Sequence, residues 1–367
     1  MTRSLLTQFS SLVTALTPYP ISKALTYLPT PYNVNKSTEY GRIKEEFNAD
    51  IVFDFMKMMD YEIETPVYEC PQALTDGVNN AIDAYGLDEK TKRGLLKAVV
   101  PAICVIHMPF RRYSIELKVF LTLYTALAIY IDNVIAVHPE IMVPELRKLP
   151  ARWGLGLAEN NYKDPIIGIF MRHVTLETPK HYGPYATGVI VKGSIDYLIG
   201  CLLEAELPKK MQVPKAAGRW TTFFRGKTGM GELYSHFLFP LEQFSEPEDV
   251  RYYIASIPDI AEIINKINDI LSFYKESVVG DEDYNYVCLE ARRTGQTPVE
   301  ILRESCDEQV RLVKEIKEAL SAHDLCHEAF SEFVVGYIMY HCTNSRYRLS
   351  EIGVILGPQD SDEDDYH

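Results

Sequence analysis

Asn268, Ser272 and Glu276 follow one another at four-residue steps in the string Asn268-Asp269-Ile270-Leu271-Ser272-Phe273-Tyr274-Lys275-Glu276. Four residues turn an α-helix by about 400°, so each step drifts by only about 40° around the axis. On a helix the three would form one polar strip. All three offer oxygen, and only Glu276 brings a full charge. A few oxygens of low total charge suit magnesium, which keeps part of its water shell and bridges to substrate phosphates. Asn and Ser are poor residues for a helix interior, because their side chains compete for backbone hydrogen bonds. Two of them in register need a reason beyond helix formation.

The surrounding segment has helical periodicity. Ile260, Ile263, Ile264, Ile267, Ile270, Leu271 and Tyr274 recur at three- and four-residue steps and form an apolar stripe beside the polar strip. Three polar residues on the rim of an amphipathic helix would be unremarked in many chains. The full string is rarer: average residue usage yields it by chance in roughly one chain in a thousand of this length.

The chain has 367 residues, 47% hydrophobic and 24% charged, enough for a large core. Its net charge of −14 argues against nucleic-acid binding, which wants a basic face. The same charge makes an anionic substrate awkward unless cations mediate, which gives the magnesium reading a physical motive. Seven cysteines, scattered and without a CxxC, read as reduced core thiols of an intracellular, cytoplasmic protein.

Prolines at 18, 20, 29 and 31 make residues 1–39 an irregular arm, too polar for a signal peptide. From 40 to 355 the pattern is helical, without hairpin signals, repeats or a long linker, so one all-α domain is expected. Helices are expected at 40–60, 76–85, 88–108, 114–137, 163–177, 186–206, 214–244, 247–278, 283–294, 298–321 and 324–347. Pro101 should kink or split the third. Residues 356–367 read as an acidic, disordered tail.

Residues 114–137 form a long apolar helix, whose uncharged run from Val119 to Ile131 is ended by Asp132 and Asn133. Val119 to Val137 has the length of a membrane span. Asp132 inside it would cost about 3 kcal/mol near the bilayer centre, and no second span is evident, so stable membrane insertion is not expected. A carboxylate at the end of a buried helix is costly unless paired or bound to metal. Asp132 is therefore a metal-ligand candidate.

Together these residues resemble the class I terpene synthases, and the fungal trichodiene synthase family in particular. Asn268, Ser272 and Glu276 match the family's second metal motif, and Phe273-Tyr274-Lys275-Glu276 continues it. Asp132 matches the first Asp of the Asp-rich motif, whose second and last Asp are replaced by Asn133 and Ala136. Arg225, 43 residues before Asn268, matches the diphosphate-sensing Arg, and Gly229 and Gly231 the break in its helix. Arg346-Tyr347, 78 residues after Asn268, matches the family's closing Arg-Tyr pair.

The resemblance implies a single-domain helical bundle around a central cavity and a cluster of three magnesium ions on Asp132, Asn268, Ser272 and Glu276. It implies diphosphate binding by Arg225, Lys275, Arg346 and Tyr347. The substrate is expected to be farnesyl diphosphate, cyclised through nerolidyl diphosphate and a bisabolyl-type cation to a sesquiterpene hydrocarbon or alcohol. A homodimer is expected because family members are often dimers. Aromatic faces attract cations, and the candidates for lining the pocket are Phe120, Tyr124, Phe223, Phe224, Phe333, Tyr337 and Tyr340. The alternatives are a decayed helical prenyl-diphosphate binder or scaffold, motivated by Asn133 and Ala136, and a prenyl diphosphate synthase. The latter would need a second Asp-rich motif where Asn268 to Ser272 stand.

Overall fold

The computed structural model describes residue 43 and residues 45–61, 69–154, 164–207, 213–280 and 282–354. The arm expected over 1–39 and the tail over 356–367 lie outside the described residues. Among these residues the chain is all helix, with no strand.

Helix α1 spans Asp50–Met58, α2 Gln72–Ala84, α3 Glu89–His107 and α4 Ile115–Val137. Ser114 starts α4, its Oγ accepting from the Leu117 amide at 3.2 Å. α4 is buried along nearly its whole length and packs against α2, α3, α5 (Pro139–Gly154) and α6 (Pro165–His181). Its uninterrupted apolar run follows from this: a helix surrounded by helices has no solvent face to keep polar. Pro101 does not split α3, which runs on to His107.

α5 has no counterpart in the sequence reading, because Pro144 and Pro150 lie inside it. Glu145, buried, ties its turns together, accepting from Lys148 and Arg152 at 3.0 Å each. α7 (Pro184–Glu206) is a second helix long and apolar enough to cross a membrane, which corrects the expectation of only one. Most of the apolar window of α4 is buried in the protein, whereas α7 leaves Tyr185 and Ile199 exposed. Tyr197 Oη pins α7 to α4 through the Ala128 carbonyl at 3.2 Å.

The expected helix over 214–244 is two helices, α8 (Trp220–Thr228) and α9 (Gly231–Phe237). That over 247–278 divides into α10 (Glu246–Tyr253) and α11 (Ile257–Phe273), and α11 runs into a π-helical turn, Tyr274–Val279. α12 (Tyr286–Thr294), α13 (Pro298–Leu320) and α14 (Asp324–Thr343) complete the bundle. Thr297 and Glu300 start α13 with a reciprocal capping box.

α11 buries the expected stripe, Ile260 to Leu271, against α9, α13 and α14. Each aliphatic side chain there stabilises by about 1.5–3 kcal/mol. Tyr274 leaves the stripe: in the wider π turn its ring packs on Phe47 and its hydroxyl donates to Glu351 at 3.1 Å. Cys70 is exposed, contrary to its reading as a core thiol.

Candidate active site

Asn268 sits two-thirds along α11, where three elements far apart in sequence meet. Its Oδ1 accepts from Arg225 Nη2 of α8 at 3.1 Å. Its Nδ2 lies 3.1 Å from His341 Nε2 of α14 and donates to Tyr347 Oη at 3.4 Å. Tyr347 Oη in turn donates to Tyr340 Oη at 3.1 Å.

One turn on, Ser272 is buried, and its Oγ has no hydrogen-bond partner of ordinary geometry. It still faces Glu276, whose carboxylate its dipole eases. Glu276 stands in the π turn, a widened helical turn often found at functional sites. Asn285 Nδ2 reaches both Glu276 Oε2, at 3.4 Å, and Ser277 Oγ, at 2.8 Å, and so braces the turn. Burial pushes the Glu276 carboxyl above its usual range, and Lys275, with Nζ 3.5 Å from Oε1, pulls it back.

Arg225 is held by more than Asn268. Its Nε donates to Asp269 Oδ1 at 2.6 Å and its Nη2 to the Asn265 carbonyl at 3.2 Å. Asp269 was not foreseen; it occupies the second place of the metal string but faces Arg225, and its Oδ2 is buried without a hydrogen bond. The helix break after Arg225 lies at Gly229-Met230, as the spacing predicts, but neither glycine has a positive φ. The reason is space: a Cβ on Gly231 would lie 2.2 Å from the Ala261 carbonyl, and one on Gly229 2.3 Å from Arg225 Nη1.

Arg346 and Tyr347 are presented by a 3₁₀ turn, Ser345–Tyr347, which Asn344 caps through the Arg346 amide at 3.0 Å. Asp132, at the C-terminal end of α4, is partly exposed; loss of solvent pushes its carboxyl up, and Arg346 and then Lys275 pull it down. Those shifts place Asp132 in the field of the two cations. Glu204 and Glu282, also unforeseen, share that field. Although both reach solvent, limited solvation pushes them up to about 7 and about 8, with Asp132 and Glu276 adding repulsion.

The profile of the trichodiene synthase family matches residues 92–366, most of the chain. The chain belongs to the trichodiene synthase family. It is 34% identical over 173 residues to an (E)-β-farnesene synthase of Metarhizium brunneum, covering 47% of this chain and 52%, about half, of that relative. It is 29% identical over 245 residues to a longiborneol synthase of Gibberella zeae, covering 66% of this chain and 69% of the relative. In fold it is similar to the crystal structure of a linalool/nerolidol synthase from Streptomyces clavuligerus, with a TM-score of 0.52 and 16% identity over 77% of this chain and 99% of that one. Membership carries the enzyme class: a terpene synthase, a lyase acting on a prenyl diphosphate and using magnesium.

Of the aromatic residues expected to line the pocket in this family member, Tyr337 and Tyr340 stand beside the site, packed on His341 with ring centroids 4.6 and 4.8 Å away. Arg225, Asp269 and Tyr347 all lie close enough to Tyr337 to act on its hydroxyl. Tyr234 of α9, missed in the sequence, joins them and bonds Thr125 of α4. Phe333 packs deeper, against Phe110 and Tyr337.

The other four pack elsewhere. Phe120 is stacked between His173 and His181, far down α4 from Asp132. Tyr124 is fully buried, bonded to Ser194 at 2.7 Å and packed on Phe170 and Phe237. Phe223 is 54% exposed and lines an outer cleft of about 320 Å³ between α8 and the start of α11. Phe224 packs with Trp220 and Tyr284 in a satellite cluster. Helical spacing put all four on site-bearing helices, but it does not say which face turns inward.

The residues fit magnesium. Among the described residues no three His, Cys, Asp or Glu side chains form a ligand cluster. The donors that converge are an amide oxygen, an orphaned buried hydroxyl and carboxylates, the oxygen set magnesium prefers.

Proposed function

We propose that the protein ionises and cyclises farnesyl diphosphate, releasing diphosphate and a cyclic sesquiterpene. The observation that carries this reading is the hydrogen-bonded group of Arg225, Asn268 and Tyr347, which draws one residue from each of three separate elements. A farnesene synthase and a longiborneol synthase among the relatives support the fifteen-carbon substrate.

Asp132, Asn268, Ser272 and Glu276 would hold three magnesium ions. Bound magnesium stabilises negative charge growing on the leaving diphosphate. Arg225, Lys275, Arg346 and Tyr347 bind and orient that diphosphate by charge and hydrogen bonds. The allylic C–O bond breaks and its electron pair leaves with the diphosphate oxygen. Tyr337, Tyr340 and Tyr234 offer ring faces to the cation and keep water away from it. A cytoplasmic, homodimeric enzyme without membrane insertion completes the reading.

The test is incubation of the purified protein with farnesyl diphosphate, with and without magnesium, and gas chromatography–mass spectrometry of the volatiles. A magnesium-dependent cyclic product, lost in Asn268→Ala and Glu276→Ala, is expected. A folded protein that makes no product from farnesyl, geranyl or geranylgeranyl diphosphate overturns the reading and leaves a prenyl-diphosphate binder.

A further inference from the structure

We propose that His341 is a positioning residue: it sets which way the Asn268 amide faces, and so aims the Asn268 oxygen into the metal and diphosphate site. The inference rests on the reading of the site given above. His341 lies on α14, fully buried, and touches the site only through Asn268 and the neighbouring tyrosine rings.

The argument is one of donors and acceptors. His341 Nδ1 lies 2.7 Å from the Tyr337 carbonyl, which can only accept, so Nδ1 carries the proton. The Arg225 guanidinium, which can only donate, holds Asn268 Oδ1, so the Asn268 atom facing Nε2 is the amide nitrogen, a donor, and Nε2 must accept. Nε2 is therefore a bare lone pair. An amide nitrogen can only donate, so Asn268 turns its Nδ2 to Nε2 at 3.1 Å. Its Oδ1 then faces the other way, where the Arg225 guanidinium can only donate, at 3.1 Å. Turning the amide over would set oxygen against a lone pair on one side and N–H against N–H on the other. The chain Tyr337 carbonyl, His341, Asn268, Arg225 thus has one allowed direction.

The same geometry disqualifies His341 as the base of the reaction, since its free lone pair is turned to Asn268. Partners that orient a metal ligand typically change metal affinity by about 10- to 100-fold when removed. His341→Leu removes the acceptor, whereas His341→Gln can place an oxygen near Nε2.

The experiment compares the full-length wild type, His341→Leu and His341→Gln by calorimetric titration of magnesium in the presence of inorganic diphosphate. Thermal melts without metal check folding. We expect about 10- to 100-fold weaker magnesium binding in His341→Leu and recovery to within about threefold in His341→Gln, at similar metal-free melting temperatures. Wild-type affinity in folded His341→Leu overturns the inference, as does an equal loss in both variants. If His341→Leu does not fold, ¹⁵N spectra of the wild-type histidines decide. A ring protonated at Nδ1 with a bare Nε2 supports it, and a protonated Nε2 overturns it. A wild type that shows neither magnesium–diphosphate binding nor product removes the reading of the site itself; a wild type that binds, beside an unaffected His341→Leu, removes only the role of His341.

Discussion

Ser272→Ala separates a ligand from a packing residue, because the two roles predict opposite signs. The Ser272 hydroxyl is buried without a hydrogen-bond partner. Leaving such a group unsatisfied costs about 1–3 kcal/mol. Ala is also the better helix former by about 0.5 kcal/mol. Against these stand the small void left by one oxygen and the loss of the dipole that eases Glu276. The net expectation is a metal-free protein more stable by about 1 kcal/mol, or about 1 °C in melting temperature for a chain of 367 residues.

Ligand should reverse the order. At a ligand concentration near 100 times Kd the wild type gains about 2.7 kcal/mol. Weakening binding 10- to 100-fold cuts that gain to about 1.4–0.4 kcal/mol. The melting curves of wild type and variant therefore cross when magnesium and diphosphate are added. Differential scanning fluorimetry over a magnesium series measures it, alongside turnover, which should fall at least tenfold. A variant destabilised without metal by more than about 1 kcal/mol would show that Oγ makes a structural bond. Undiminished stabilisation by ligand would refute the ligand role outright.

Asp269→Asn leaves Arg225 without its buried counter-charge, 2.6 Å away. Urea denaturation should show a loss of about 2–4 kcal/mol, and KM for the diphosphate substrate should change because Arg225 is no longer pinned. His173 is buried against Phe120 and its pKa is pushed down to about 4. The unfolded chain takes up that proton below about pH 6.5 and the folded one does not, so its contribution is lost as pH falls from about 6.5 towards 4. At pH 5 the cost is about 2 kcal/mol, and melts of His173→Leu should lack that part of the acid sensitivity. Phe223→Ala, on the outer cleft, should leave the product profile by gas chromatography unchanged, while Tyr337→Leu should shift it. An altered profile in Phe223→Ala would return that ring to the pocket.

The helices and the polar strip of Asn268 and Ser272 were readable because both are local. Apolar spacing near the helical period determined α4 and α11, and the register of Asn268 and Ser272 needed only that α11 be a helix, whereas Glu276 follows in the π turn. Arg225 and the Arg346-Tyr347 pair were found by their distance along the chain from Asn268. The breaks were less legible. The resemblance put a break at Gly229 and Gly231, but that no side chain fits there was decided by packing, since a Cβ on Gly231 would meet the Ala261 carbonyl of α11. Nor could local sequence tell that the prolines of α5 would be absorbed, or that Tyr274 to Val279 would open into a π turn.

Direction was decided only in three dimensions. Helical spacing placed Phe120, Tyr124, Phe223 and Phe224 on the right helices, but the face a side chain presents depends on which neighbour covers it. Asp269 had no assigned role in the sequence, and only the packing of α8 on α11 brought Arg225 beside it. Nothing in the sequence singled out His341, which the packing of α14 on α11 brings within 3.1 Å of Asn268. Hydrogen-bond direction is set by pairs of residues. For Arg225, Asn268 and His341 the partners lie 43 and 73 residues apart, so only the packing of α8, α11 and α14 could bring them together.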